Sequence, residues 1–276
     1  MKLRGKIALI TGGGSGLGKA IAVTFAREGA AVIVNDVDRE SAGRVVAQCG
    51  RSDPPCMAIQ ADVSDSDAVR SMFATIRERY PTLDILVNNA GVADAKEDLD
   101  RMKVVETYRE RLAALLTGQR RPPWNILCNI TDRQWHRMIS IHLDGTFYCT
   151  REALGIMQEK RSGKIINMAS VAGTLGLELE PHYSAAKAGI IGLTKAVARE
   201  VADLGINVNV IAPGFIQTPI LKDIPEDVIG TIARLIPTGT IGEPADVAMA
   251  ALYLACEQSS YLVGQTISPN GGAWMM

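Results

Sequence analysis

The chain has 276 residues, 47% of them hydrophobic, enough for one large core or two small ones. A formal net charge of −1 gives no electrostatic reason to expect nucleic acid or an anionic membrane surface as a partner. Cys49, Cys56, Cys128, Cys149 and Cys256 form no C-x-x-C pair, and no run of roughly 18 apolar residues occurs. These features exclude a disulfide framework, a zinc site and a membrane span as expectations. Only the five-residue run Ile7–Thr11 lies between the basic N-terminus and the glycine cluster at 12–14, too short for a secretory signal, so a soluble cytoplasmic protein is expected.

In chain order, apolar β-branched runs alternate with helical periods. Strands are predicted at 7–11, 31–35, 57–61, 83–88, 164–168, 207–211 and 265–268. Helices are predicted at 16–28, 39–48, 66–79, near 182–203 and at 244–256. Continuous apolar strands between helices predict an α/β fold, one doubly wound parallel sheet covered on both faces. No repeat or low-complexity linker divides it, so 1–276 is read as a single domain.

The first strand runs into "ITGGGSGLGKAIA" at 10–22. Gly12, Gly16 and Gly18 give the spacing G-x-x-x-G-x-G, with Ser15 and Leu17 between them. Between a strand and a helix, such glycines let the backbone approach a pyrophosphate, and the helix start offers free N–H groups. Asp36 follows the second strand, where a carboxylate can accept hydrogen bonds from an adenosine ribose. It would repel the 2′-phosphate of NADP, and Ser15 and Val37 supply no cation, so NAD is the expected cofactor. Asp62 and Val63 follow the third strand at the sheet's carboxyl edge, where an adenine ring would lie.

After the fourth strand, residues 95–130 break the alternation. Leu99, Met102, Val105, Tyr108, Leu112 and Leu115 keep a helical period, which Gly118 and Pro122-Pro123 end. This predicts an inserted amphipathic helix, which could cover its own apolar face, form a lid over an active site or make a subunit contact. Next comes "MISIHLDGT" at 138–146. Trp135, Met138, Ile139, His142, Leu143 and Thr146 fall on one helical face, predicted to be buried, and it contains a histidine.

"HYSAAKAGI" at 182–190 places Tyr183 and Lys187 four apart on a helix, on one face. A free tyrosine titrates near ~10, and a neighbouring ammonium favours its phenolate, so Tyr183 is a candidate proton carrier. Ser170 ends the preceding strand and could bond the same substrate oxygen. His182 is expected to point away from this face and His136 to lie on a polar one.

TGGGSGLG (11–18), NNAG (88–91), Ser170, Tyr183-x-x-x-Lys187 and PGFIQT (213–218) together resemble the short-chain dehydrogenase/reductase family. The resemblance spans nearly the whole chain except 95–130. It implies a Rossmann-type fold, a nicotinamide cofactor, and interconversion of a secondary alcohol and a ketone. It implies Tyr183 as the acid/base, Lys187 on the nicotinamide ribose and lowering the tyrosine pKa, and Ser170 orienting the substrate. It places Asn89, in the turn with Ala90 and Gly91, near the adenosine ribose. Pro213, Gly214, Ile216 and Thr218 would hold the nicotinamide carboxamide side. A catalytic asparagine of the family falls in a pattern matched here by Trp135, Leu143 and Gly145, and His142 stands in its place, a candidate for the same proton relay.

Past PGFIQT, Val228, Ile229, Ile232, Leu235 and Ile236 predict an apolar helical face, which could pack on the core; the resemblance implies that this region covers the substrate. The expected substrate is therefore a small-molecule alcohol or ketone with an apolar body, with a 3-oxoacyl thioester as the alternative. A nucleotide-sensing protein without turnover is the non-enzyme alternative. The C-terminal "GQTISPNGGAWMM" resembles the family's subunit-contact tail and implies a homotetramer.

Overall fold

The computed structural model describes residues 1–92, 101–123, 126–178, 180–219 and 226–275, and the side chains of 101–105, 108 and 112 lie outside this description. Seven parallel strands form one sheet in the order β3-β2-β1-β4-β5-β6-β7. They are β1 (Ile7–Ile10), β2 (Ala31–Asp36), β3 (Met57–Gln60), β4 (Ile85–Asn88), β5 (Gly163–Met168), β6 (Ile206–Ile211) and β7 (Thr266–Ile267). The chain moves outward from β1 to β3, then crosses back to place β4 on the other side of β1. This reversal leaves a crevice at the carboxyl ends of β1 and β4, where open α/β sheets bind ligands.

Both faces of β1 are buried, which is why its sequence is continuously apolar. Ala8 and Ile10 pack with residues of α1 (Gly16–Arg27), α2 (Arg39–Cys49) and α11 (Pro244–Ala255). Ile7 and Leu9 pack on the opposite face with α3 (Ser66–Arg79), α7 (Gly145–Lys160) and α9 (Pro181–Val201). Phe25 and Phe73, both fully buried, anchor the two layers. Truncating either to alanine would cost about 3–5 kcal/mol.

A helix α4 (Arg101–Thr117) does follow β4. Leu99 and the side chains of Met102, Val105, Tyr108 and Leu112 lie outside the described residues. Leu115, predicted on the covered face, is 61% exposed, so that face is not closed by the described chain at this point. Two short helices come next, α5 (Ile126–Asn129) and α6 (Asp132–Ile139), the latter opened by a Thr131–Gln134 capping box.

The predicted continuous helix through His142 is interrupted. Ser140–Asp144 forms a single π-helical turn between α6 and α7. Trp135 is 38% exposed, whereas Met138 and His142 are buried. A short α8 (Ala172–Leu175) follows β5, and α10 (Glu226–Leu235) follows β6. On α10, Val228, Ile229 and Ile232 are half-buried, but Leu235 points to solvent, against expectation.

Candidate active site

The glycine turn is held closed by the segment after β4. Asn89 Nδ2 donates to the carbonyls of Thr11 and Gly12 at 3.0 and 3.1 Å. Thr11 Oγ1 accepts the N–H groups of Asn89 and Ala90, each at 3.0 Å. Gly12 has φ +59°, and a Cβ there would stand 2.7 Å from the Ala90 Cα. A Cβ on Gly18 would collide with the Gly12 carbonyl. Only glycine permits this fold of the turn. The Asn89 side chain therefore braces the loop.

Helices α2 and α3 are capped by their own side chains, Asp38 and Asp65. Ser15, at the N-cap of α1, makes no such bond. The first N–H groups of α1 thus face the crevice without a side-chain acceptor, beside Gly16 and Leu17, and fit a pyrophosphate. Asp36 sits above them. Its carboxylate accepts Gly14 N–H at 2.9 Å and Asp38 N–H at 3.1 Å, which fixes it at the rim beside the glycine turn.

Asp62 closes its own turn by accepting the Ser64 N–H and hydroxyl at 2.9 and 2.7 Å. Val63 is buried, and a Cβ on Gly145 would lie 2.8 Å from its side chain. On the far wall, the Pro213 carbonyl accepts Val171 N–H at 3.0 Å, and Gly214 N–H donates to Pro269 at 3.1 Å. Ile216 turns into the core and pairs with Gly242, while Thr218 is half-buried further along.

Ser170, Tyr183, Lys187 and His142 come together at the carboxyl ends of β4 and β5. Ser170 Oγ accepts Ala172 N–H at 3.1 Å, which starts α8, and it also hydrogen-bonds the Tyr183 phenol. Lys187 Nζ donates to the Met168 carbonyl at 2.7 Å and stands 5.4 Å from the Tyr183 ring centroid. Burial brings Lys187 down to about 7. Burial also pushes Tyr183 up to about 12, against the Ser170 hydrogen bond that favours the phenolate. Desolvation is the leading cause at Tyr183, and Lys187, itself buried and bonded to a main-chain carbonyl, is not among the groups that shift it.

His142 is 3% exposed. Its Nε2 lies 2.9 Å from the Val92 carbonyl and 3.1 Å from the Val92 N–H, so it donates to the first in one tautomer or accepts from the second in the other. Its Nδ1 is buried without a hydrogen-bond partner. A Cβ on Gly91 would collide with the imidazole. Burial, followed by the nearby Lys187, drives its pKa down to about 3. His182 is also buried and lies near enough to oppose protonation of His142 further. His136 is exposed as expected.

Sequence reasoning missed the support beneath this cluster. Asn88 Nδ2 donates to Thr150 Oγ1 and Asn167 Oδ1, and Asn167 Nδ2 donates to Thr194 Oγ1, all at 2.8–2.9 Å. This buried chain ties α7, β4, β5 and α9 together. The available signal was an asparagine inside each of two otherwise apolar strands, since buried amides need partners. Among the described residues no group of His, Cys, Asp and Glu could hold a metal ion, and no helix is long and apolar enough to cross a membrane.

Residues 6–120 match the family described as short chain dehydrogenase, and residues 123–273 the one described as enoyl-(acyl carrier protein) reductase. The chain is 36% identical to 3-oxoacyl-[acyl-carrier-protein] reductase FabG of Thermotoga maritima, over 99% of each chain. The chain belongs to the short-chain dehydrogenase/reductase family. Proteins of the same name from Vibrio harveyi and Staphylococcus aureus are 34% and 35% identical, over the whole of both chains and over 98% of each. This short-chain dehydrogenase/reductase is therefore a Rossmann-type oxidoreductase of a family that binds a nicotinamide dinucleotide.

Proposed function

We propose that the protein interconverts a 3-oxoacyl thioester and its 3-hydroxyacyl counterpart with NAD(H). The reading rests on one joint observation. The Ser170–Tyr183–Lys187 cluster is intact in a chain similar along its whole length to proteins named 3-oxoacyl-[acyl-carrier-protein] reductase. Those names also suggest an acyl carrier protein as the thioester's bearer. This replaces a generic secondary alcohol as the leading substrate.

The bound nicotinamide supplies or accepts the hydride. The glycine turn and the α1 N-terminus would hold its pyrophosphate, Asp36 its adenosine ribose and Lys187 the second ribose. Ser170 and Tyr183 both donate to the 3-oxo oxygen, which polarises the carbonyl and fixes its orientation. In reduction, the Tyr183 phenolic proton passes to that oxygen. Its raised pKa keeps it protonated at neutral pH and suited to the role of acid. In the reverse direction the phenolate must be generated, and a charged Lys187 favours it. His142 is assigned to the same proton path as a neutral imidazole able to donate at one nitrogen and accept at the other.

A second reading, oxidation of a small secondary alcohol with an apolar body, is favoured by the half-buried Val228, Ile229 and Ile232 of α10. One assay separates the two. Reduced nicotinamide is followed by absorbance with NAD(H) and NADP(H) in parallel, against a 3-oxoacyl thioester and a panel of cyclic and aliphatic secondary alcohols. Thioester turnover that disappears in Tyr183→Phe supports the first reading. Turnover confined to the alcohols supports the second. Tight nucleotide binding with no turnover on any substrate would overturn both in favour of a sensor.

A further inference from the structure

Away from the active site, Cys49 ends α2 and Cys56 leads into β3. Cys49 lies close enough for each thiol to shift the titration of the other. Cys56 Sγ also accepts the Val32 N–H at 3.3 Å and lies 3.3 Å from Ser52 Oγ. Both cysteines are half-buried and pack against the same core. The loop joining them is pinned by Tyr80, whose hydroxyl donates to the Pro55 carbonyl at 2.7 Å. Two potential donors, the Val32 N–H and the Ser52 hydroxyl, converge on one sulfur, which favours its thiolate. The neighbouring Cys49 thiol holds Cys56 below the usual thiol range and is itself raised. The other three cysteines are placed differently. Cys149 and Cys256 are buried, and Cys128 is exposed on a short helix.

We propose that Cys49 and Cys56 are an oxidation-sensitive dithiol that closes to an intramolecular disulfide when a hydroperoxide reaches it. The Cys56 thiolate attacks one peroxide oxygen. An S–O bond forms, the O–O bond breaks, and the leaving oxygen takes a proton and departs as an alcohol, or as water from hydrogen peroxide. Cys49 sulfur then attacks Cys56 sulfur. The S–S bond forms, the S–O bond breaks, and water leaves with the Cys49 proton. Two thiols lose two electrons in total, and the peroxide gains them. In a reducing compartment such a bridge is transient, as expected of a redox-sensing rather than a structural pair. It would restrain the end of α2 that lies opposite Asp38 and Ser41, without entering the nucleotide crevice.

The full chain, reduced and then treated with hydrogen peroxide, tests this by non-reducing tryptic mapping. Cleavage after Arg44, Arg51 and Arg70 places the two cysteines on separate peptides, 45–51 and 52–70. The expected product is these two peptides joined, two hydrogen masses lighter than their sum, and separated again by a thiol reductant. In Cys49→Ser, a sulfenic acid trapped by dimedone is expected at Cys56. Persistence of both free thiols overturns the proposal. So does bridging through Cys128, or oxidation of Cys56 to a sulfinic acid with Cys49 present.

Discussion

The His142 imidazole meets the Tyr183 ring edge to face, with centroids 5.3 Å apart and planes at 88°. The same imidazole bonds Val92, the last described residue before the insertion. It thus connects the acid/base tyrosine to the segment from which the insertion departs. The π-helical turn at Ser140–Asp144 carries it there. The contact depends on a neutral ring, since a charged one would sit buried beside Lys187.

His142 should therefore make stability fall on acidification. The unfolded histidine takes up a proton near ~6.5, whereas the folded one resists until about 3. Between these values the unfolded state binds more protons, so stability declines as pH drops through the window. His142→Asn removes this contribution. Urea unfolding at about pH 4 and about pH 7 should show a larger loss for the parent than for the variant, by on the order of a few kcal/mol. Equal losses would show that His142 titrates normally. For the relay, His142→Asn should retain turnover, whereas His142→Ala should lower it and alter its pH profile.

Lys187 gives the opposite side of the pH scale. Its folded pKa, brought down to about 7, lies below an unfolded value near ~10.5. The unfolded state again binds more protons between the two, so this lysine makes stability rise with pH across that interval. Lys187→Met should flatten the rise in chemical denaturation. It should also weaken nicotinamide dinucleotide binding, measured by titration calorimetry. A variant with an unchanged stability profile would mean the buried amine stays charged.

Tyr183→Phe keeps the ring that His142 packs against and deletes only the hydroxyl. Turnover should fall about 10²–10⁴-fold, the usual contribution of a positioned proton donor. The melting temperature should barely move, because the packing survives. A rise in KM with kcat unchanged would instead place the hydroxyl in substrate binding alone.

Asp36→Asn tests cofactor choice with little change of shape. The amide oxygen can still accept Gly14 N–H, so the rim geometry holds while the charge is lost. The ratio of NADP to NAD efficiency should rise by at least about tenfold, which corresponds to ~1.4 kcal/mol. An unchanged ratio would mean that the carboxylate does not face the ribose 2′ position.

The sheet was legible because its strands are buried on both faces and its glycines punctuate the right junctions. Tyr183 and Lys187 were legible because a four-residue helical spacing fixes a shared face. The protonation states were not, since burial depends on what the fold stacks over each group, and a pair read as mutually helpful is dominated by desolvation. The π turn was equally invisible. One extra residue in a turn leaves no composition signal, yet it is this turn that carries the buried His142. The bracing of the glycine turn by the Asn89 amide was not legible either, since its motif does not show which groups that amide meets.

The insertion is tied to two segments near the site, and this gives it a testable role. Arg111 bonds Glu178 at 3.2 Å, just before α9, and donates to the Pro122 carbonyl. Arg109 bonds Asp227 at 2.7 Å, on α10. The Arg109 pair is exposed on both sides and contributes little on its own. The Arg111 side chain is only 15% exposed, so its pairing holds α4 against the approach to Tyr183 more firmly. If α4 helps to shape the substrate entrance, Arg111→Ala should raise KM for the preferred substrate about fivefold, equivalent to ~1 kcal/mol, with kcat and the nucleotide KM unchanged. An insertion that only covers itself would leave all three constants as they are, and a subunit contact would instead register as a change in oligomeric mass by light scattering.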